Sequence, residues 1–155
     1  MEIERKFLLH SLPDDIDRYE SVEIDQAYIS VDPTIRLRRR NNDYFLTMKQ
    51  NGLLAREEAE FMITKEQYER LWAKIETNVI RKTRVLIPLQ DGLTAEADIY
   101  HGVLQGFMTI EVEFDSIEQA VSFIPPDWFD REVTDDPRYS NSSLAINKLF
   151  YGNNG

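Results

Sequence analysis

Charge that alternates at every second residue, repeated in segment after segment, is the feature that most constrains how this chain folds. In Met1-Glu2-Ile3-Glu4-Arg5-Lys6-Phe7, the side chains of Glu2, Glu4 and Lys6 alternate with those of Ile3, Arg5 and Phe7. A strand sends successive side chains to opposite faces, so both carboxylates and the ammonium would share one face. One such strand is a solvated surface. Here the pattern recurs in Gln26 and Tyr28, in Arg36, Arg38 and Arg40, and in Thr47 and Lys49. It continues through Arg56, Glu58 and Glu60, then Lys82 and Arg84, then Glu96, Asp98 and Tyr100, and finally Glu111 and Glu113. Charged residues are rarely buried unpaired, which for any one strand favours water. Both signs recurring on strand after strand instead predict a sheet wrapped around a polar interior.

Strands are expected over Met1–Leu9, Val22–Val31, Thr34–Arg40, Tyr44–Lys49, Leu54–Ile63, Val79–Leu89, Leu93–Tyr100 and Phe107–Phe114. Asp32-Pro33, Asn41-Asn42-Asp43, Asn51-Gly52 and Asp91-Gly92 are the turn signals between them. Short connections imply antiparallel pairing. About eight strands are enough to close a barrel around one small ligand, and closure removes exposed edges.

Helices are fewer. Ser11-Leu12-Pro13-Asp14-Asp15 starts a short helix or turn, with Ser11 as a candidate N-cap and Pro13 in the first turn. Thr64 and Gln67 form a candidate capping box ahead of Tyr68, Leu71, Trp72 and Ile75 at helical spacing. Ser116–Val121 reads as a short helix stopped by Pro125-Pro126, and Tyr139–Phe150 as a last one, capped within Ser140-Asn141-Ser142-Ser143. The expected class is α+β: an eight-stranded antiparallel β-barrel, or tunnel, with a few helices packed outside, in a single domain over residues 1–155. Phe61, Trp72 and Trp128 read as core. His10 and His101 read as surface or loop residues.

Composition removes several function classes. Lys and Arg number 18 against 28 Asp and Glu, a net charge of −10 that argues against a general nucleic-acid binder while leaving a local basic pocket open. The absence of cysteine excludes disulfides, thiolate zinc sites and cysteine nucleophiles. No apolar run approaches the ~20 residues that span a bilayer. No secretory signal is legible at the start, so the cytoplasm is the expected location.

Carboxylates facing one another in a small interior repel, and their pKa values rise unless a cation neutralises them. A hard divalent metal held by oxygens is the natural cation. Arginines and lysines on neighbouring strands then need an anion, which Arg grips bidentately and Lys as a point charge. Metal, carboxylates and many cations together point to polyphosphate chemistry.

Glu2-Ile3-Glu4-Arg5-Lys6 resembles the Glu-x-Glu-x-Lys signature of the CYTH superfamily, the triphosphate tunnel metalloenzymes, and especially its short bacterial members. The resemblance runs on through Gln26, Tyr28, Arg36, Arg38, Lys49, Arg56, Glu58, Glu60, Lys82, Arg84, Glu96, Asp98, Glu111 and Glu113. It extends to Glu132-Val133-Thr134 and Arg138-Tyr139-Ser140-Asn141. It implies an antiparallel tunnel that acts on triphosphate groups with Mg2+ or Mn2+. By that resemblance Glu2 and Glu4 bind the metal with Glu113 or Glu111, and Lys6 touches the substrate beside it. Arg36, Arg38, Lys49, Arg56, Lys82 and Arg84 cradle the triphosphate. Glu58, Glu60, Glu96 and Asp98 hold a second metal or orient the attacking water, with structural ion pairing to a neighbouring Arg as the alternative for Glu58 and Glu60.

The activity so implied is hydrolysis of inorganic tripolyphosphate, or a related triphosphate, to pyrophosphate and phosphate. The alternatives are a class IV-type adenylate cyclase, a thiamine or nucleoside triphosphatase, and a non-catalytic polyphosphate-binding module. The expected partner is a small anionic triphosphate, not nucleic acid or membrane, bound by a monomer or homodimer.

Overall fold

The alternating segments do form strands. The computed structural model describes residues 2–50 and 57–146. Its strands are β1 (Ile3–Leu8), β2 (Ser21–Ser30), β3 (Thr34–Arg40), β4 (Asp43–Lys49), β5 (Glu58–Ile63), β6 (Ile80–Pro88), β7 (Thr94–His101) and β8 (Met108–Phe114). They make one 8-stranded sheet in the order β1-β8-β7-β6-β2-β3-β4-β5, antiparallel at every pairing. The α-helices are α1 (Lys65–Trp72), α2 (Ile117–Ser122) and α3 (Asn141–Ile146).

Local chemistry explains the connections. Between β6 and β7, Asp91 and Gly92 take φ values of 60° and 73°, the left-handed backbone that an Asp-Gly pair tolerates in a tight hairpin. Thr64 caps α1: its hydroxyl accepts the Gln67 N–H at 3.1 Å, and the Gln67 side chain accepts the Thr64 N–H at 2.9 Å. Ser140 opens α3, its hydroxyl accepting the Ser143 N–H at 3.2 Å.

Of the short helix or turn expected from Ser11, the turn is what forms. Only a 3-10 turn over Ile16–Arg18 is present, and its N-cap residue is Asp15. Leu12 and Ile16 are drawn onto the core instead, and a helix this short has too few hydrogen bonds to offset its nucleation. The part of the expected Leu54–Ile63 strand up to Arg56, and the last helix beyond Ile146, lie outside the described residues.

One face of the sheet is apolar. Phe7, Val85, Ile87, Ala97, Ile110, Val112 and Phe114 are buried there with Ala120 of α2 and Phe129 of the following segment. Burying each large side chain contributes about 1.5–3 kcal/mol. Trp128 is half-buried against this cluster, its ring edge-on to Phe129 at 4.7 Å, and Trp72 stacks on Tyr68 at 5.1 Å. Phe61 departs from the expected core: it is 56% exposed, because β5 is an edge strand and α1 packs on β4 and β3 instead. His10 and His101 are both exposed.

The sheet curls but its hydrogen bonding does not close. β1 and β5 are its two edges and are not paired with each other among the described residues. The chain returns along the outer edge of β1: Leu8 N–H donates to Arg131 O at 2.9 Å, and Val133 N–H donates to Lys6 O at 2.8 Å. A second apolar cluster packs α3 into one end of the inner face, where Leu144 and Ala145 meet Tyr28, Ile80, Tyr100 and Leu104.

Candidate active site

Register gathers the charges on the inner face, because residues directly opposite in an antiparallel sheet point to the same side. Glu4 lies opposite Glu113, and Lys6 lies opposite Glu111, which lies opposite Glu96. Arg84 faces Asp98, and Lys82 faces Tyr100. Gln26 lies opposite Arg38 and Tyr28 opposite Arg36. Arg36 is opposite Thr47, which is opposite Glu60, and Lys49 is opposite Glu58.

Curling brings the ends of this row together. A cavity of about 590 Å3 is lined by Glu4, Lys6 and Glu111 from β1 and β8 and by Arg36 and Lys49 from β3 and β4. These strand pairs are separated in the sheet by β7, β6 and β2. A larger hollow of about 1030 Å3 lies on the outside, between Leu89–Leu93 and Phe123–Asp127, and holds none of the inner-face cations.

Each cation is set by a partner. Asp98 accepts from Arg84 through both oxygens, at 2.9 and 3.1 Å, and lies 2.8 Å from the Lys82 ammonium. Burial works to raise the Asp98 pKa, yet Lys82 and Arg84 together hold it well below the carboxylate range. Burial lowers the Lys82 pKa to about 8, with Asp98 resisting and Arg84 and Arg38 adding to the drop. Arg84 also meets Glu96 at 3.2 Å. Thr47 links two strands: it lies 3.3 Å from Arg36 and donates to Glu60 at 2.9 Å. Glu60 stands 3.8 Å from Arg36, and Glu58 stands 3.8 Å from Lys49. The charge on Arg38 is also disfavoured, its pKa lowered to about 10 by burial and then by Arg36 and Arg84.

The carboxylates at the other end repel. Burial first, then Glu111 and Glu2, push the Glu4 carboxyl up to about 7. Glu113 is raised by burial and by Glu2 and Glu96. Among the described residues no three carboxylates or imidazoles approach closely enough to make a complete protein cage for a metal ion. The donor set nevertheless fits a small hard divalent cation, because such ions can be held by one or two carboxylates with water and substrate phosphates filling the other positions. Glu4 with Glu111 and Glu113 supplies such oxygens.

All the site residues read from the sequence within the described region stand on this inner face or, for Glu2, just before β1. Arg56 lies outside the described residues. The family resemblance ran through Glu132–Thr134 and Arg138–Asn141, and Ser140–Ser143 read as a helix cap, but none of these was given a substrate or metal contact; the segment completes the cavity. The Tyr139 carbonyl accepts from Lys6 Nζ at 2.6 Å, Thr134 accepts the Lys6 N–H at 3.1 Å, and Asn141 stands 3.5 Å from Lys82 Nζ. A backbone carbonyl leaves no mark in a sequence; the polar run from Thr134 to Ser143 was the available signal.

The CYTH domain model matches residues 1–124 of this chain. The chain belongs to the CYTH domain family. This CYTH protein is 43% identical over 149 residues to an inorganic triphosphatase of Nitrosomonas europaea, covering 94% of this chain and 97% of that one. It is 38% identical over 154 residues to an inorganic triphosphatase of Acetivibrio thermocellus, covering 94% of both. The crystal structure of an inorganic triphosphatase superimposes on the CYTH fold with a TM-score of 0.75 at 40% identity, covering 94% of this chain and 95% of that one. A candidate adenylyl cyclase from Hippeastrum with dominant triphosphatase activity shares the fold at a TM-score of 0.63 and 18% identity, over 78% of this chain and 83% of that one. No helix among the described residues is long and apolar enough to cross a membrane.

Proposed function

We propose that this CYTH protein is a metal-dependent inorganic triphosphatase that hydrolyses tripolyphosphate to pyrophosphate and phosphate in the cytoplasm, acting as one domain. The observation that carries this reading is the convergence of Lys6, Arg36 and Lys49 with Glu4 and Glu111 on one cavity. The 43% identity to the Nitrosomonas inorganic triphosphatase supports it.

A bound divalent cation such as Mg2+ or Mn2+ would supply charge neutralisation for the phosphoryl group being transferred. Glu4, Glu111 and Glu113 are the residues that would hold it, with Glu2 beside them. Arg36, Arg38 and Arg84 present planar forks to the non-bridging oxygens, while Lys6, Lys49 and Lys82 add point charges. Positioning these groups before the substrate arrives is the main protein contribution to phosphoryl transfer. We assign Asp98 and Glu96 to fixing Arg84 and Lys82, and Glu58 and Glu60 to fixing Lys49 and Arg36, because those are the partners their oxygens face. The apolar end at Tyr28, Ile80, Tyr100 and Leu144 keeps water from that part of the inner face. Water attacks the terminal phosphorus, the phosphoanhydride bond breaks and pyrophosphate leaves.

The test is phosphate release from tripolyphosphate and from ATP, with Mg2+, Mn2+ or chelator, read beside cyclic AMP formation. Metal-dependent release from tripolyphosphate without a cyclic product is expected. Cyclic AMP with pyrophosphate would overturn the assignment in favour of a cyclase, and tight binding without turnover would leave a polyphosphate-binding module.

A further inference from the structure

Gln26 stands in the middle of the inner face, opposite Arg38 on one side and Ile80 on the other, and is fully buried. Its Oε1 accepts from Arg38 Nε at 3.2 Å. A guanidinium only donates, so this contact fixes which way the amide points. The Nε2 group must then face away from Arg38, and it has no protein partner. A buried amide donor left unmade costs far more than an ordinary hydrogen bond contributes. Arg36 Nε, on the adjacent inner-face row, is a second buried donor without a partner. Both orphaned groups donate, and no orphaned acceptor accompanies them on this face among the described residues. Arg36 and Tyr28 line the 590 Å3 cavity, and Gln26 lies on the same inner face two residues along β2 from Tyr28, next to that lining. Donors left in excess on a face that carries Arg36, Arg38 and Arg84 call for an anionic oxygen.

We infer that Gln26 is a substrate-binding residue whose Nε2 donates to a non-bridging phosphate oxygen of tripolyphosphate while its Oε1 holds Arg38 beside the same phosphate. This rests on the triphosphate reading of the cavity. A neutral donor suits the position. Burial, Arg36 and Arg84 already weigh against the charge on Arg38, and a further cation there would deepen that repulsion. An amide adds a hydrogen bond to phosphate without adding charge, and Oε1 takes up a donor that Arg38 would otherwise leave unmade.

The experiment is a double-mutant cycle on the full chain, read as tripolyphosphate affinity by calorimetry in chelator and in Mg2+. Gln26→Met keeps the length and removes both amide contacts. It is expected to weaken binding about tenfold alone, and about tenfold again in an Arg38→Ala background, since a hydrogen bond to a charged oxygen is lost in each case. If Gln26→Met has no effect once Arg38 is gone, Gln26 acts only through Arg38 and the inference fails. Gln26→Glu decides the matter should Gln26→Met not fold. It keeps an acceptor for Arg38 but turns the donor into a carboxylate oxygen, so it should weaken binding at least as much; wild-type affinity would overturn the inference. If the wild-type chain binds tripolyphosphate under neither condition, the reading of the cavity fails, which is a separate result.

Discussion

Lys82 and Asp98 form an ion pair of 2.8 Å on the inner face, with side-chain exposures of 0% and 4%. Asp98 also takes the bidentate contact from Arg84, so one buried carboxylate balances two cations. Taking one partner from a buried pair leaves charge without compensation and costs about 3–5 kcal/mol. Asp98→Asn should therefore lower unfolding stability by about that amount, measured as a fall in the urea midpoint at constant slope. Stability within about 1 kcal/mol of wild type would show that Asp98 does not anchor the two cations.

Lys82 supplies a pH dependence of opposite sign in two measurements. Its pKa in the fold is about 8 against an ordinary 10.5. Between those values the unfolded chain binds the proton and the folded chain has released it, so this group makes the free protein more stable as pH rises through that window. If Lys82 binds tripolyphosphate as proposed, it does so as the charged ammonium, so affinity should fall as pH rises through about 8. Thermal melts and calorimetry from pH 7 to 10.5 read both slopes. Lys82→Met should remove both, and persistence of the affinity slope in that variant would assign it to another group.

Glu4→Gln separates metal binding from folding. The carboxyl of Glu4 is pushed up by burial and by Glu111 and Glu2, so it is a source of repulsion and not of packing. The variant should melt no lower than wild type in chelator, and higher near neutral pH. Metal-dependent turnover should fall roughly 100-fold or more, because the charge stabilisation supplied by a bound cation is worth several kcal/mol. Full activity with Mg2+ or Mn2+ would remove Glu4 from the metal site.

Thr64→Ala tests a helix cap whose hydrogen bonds run both ways. It should cost about 1 kcal/mol of stability. Kinetic constants for tripolyphosphate should not change, since α1 packs on β3 and β4 outside the cavity. A changed KM would mean that α1 sets the position of the Arg36 and Lys49 strands.

The strands and the sides their residues face were legible because both follow from a period of two. Glu2, Glu4 and Lys6 could be placed together from spacing alone, and so could Arg36 with Arg38 or Glu96 with Asp98. The Asp91-Gly92 hairpin and the Thr64 capping box were legible because each is a local hydrogen-bond or dihedral requirement satisfied within a few residues. The Ser11 segment left helix and turn open, and the turn forms because two apolar side chains, Leu12 and Ile16, go to a core assembled from distant strands. Phe61 failed as a reading for the complementary reason: nothing in its own segment says that β5 lies at an edge with α1 packed elsewhere.

The sequence by itself determined the alternation, and with it an inner face that holds cations and carboxylates together. Tertiary structure alone decided how those charges pair. Strand order sets Asp98 between Lys82 and Arg84, and leaves Glu4, Glu111 and Glu113 facing one another. It also curls β1 and β8 toward β3 and β4, and brings the Tyr139 carbonyl onto Lys6 across a separation of 133 residues. Periodicity is a property of neighbours along the chain, whereas pairing energy depends on distance and burial in space, which only the folded sheet defines.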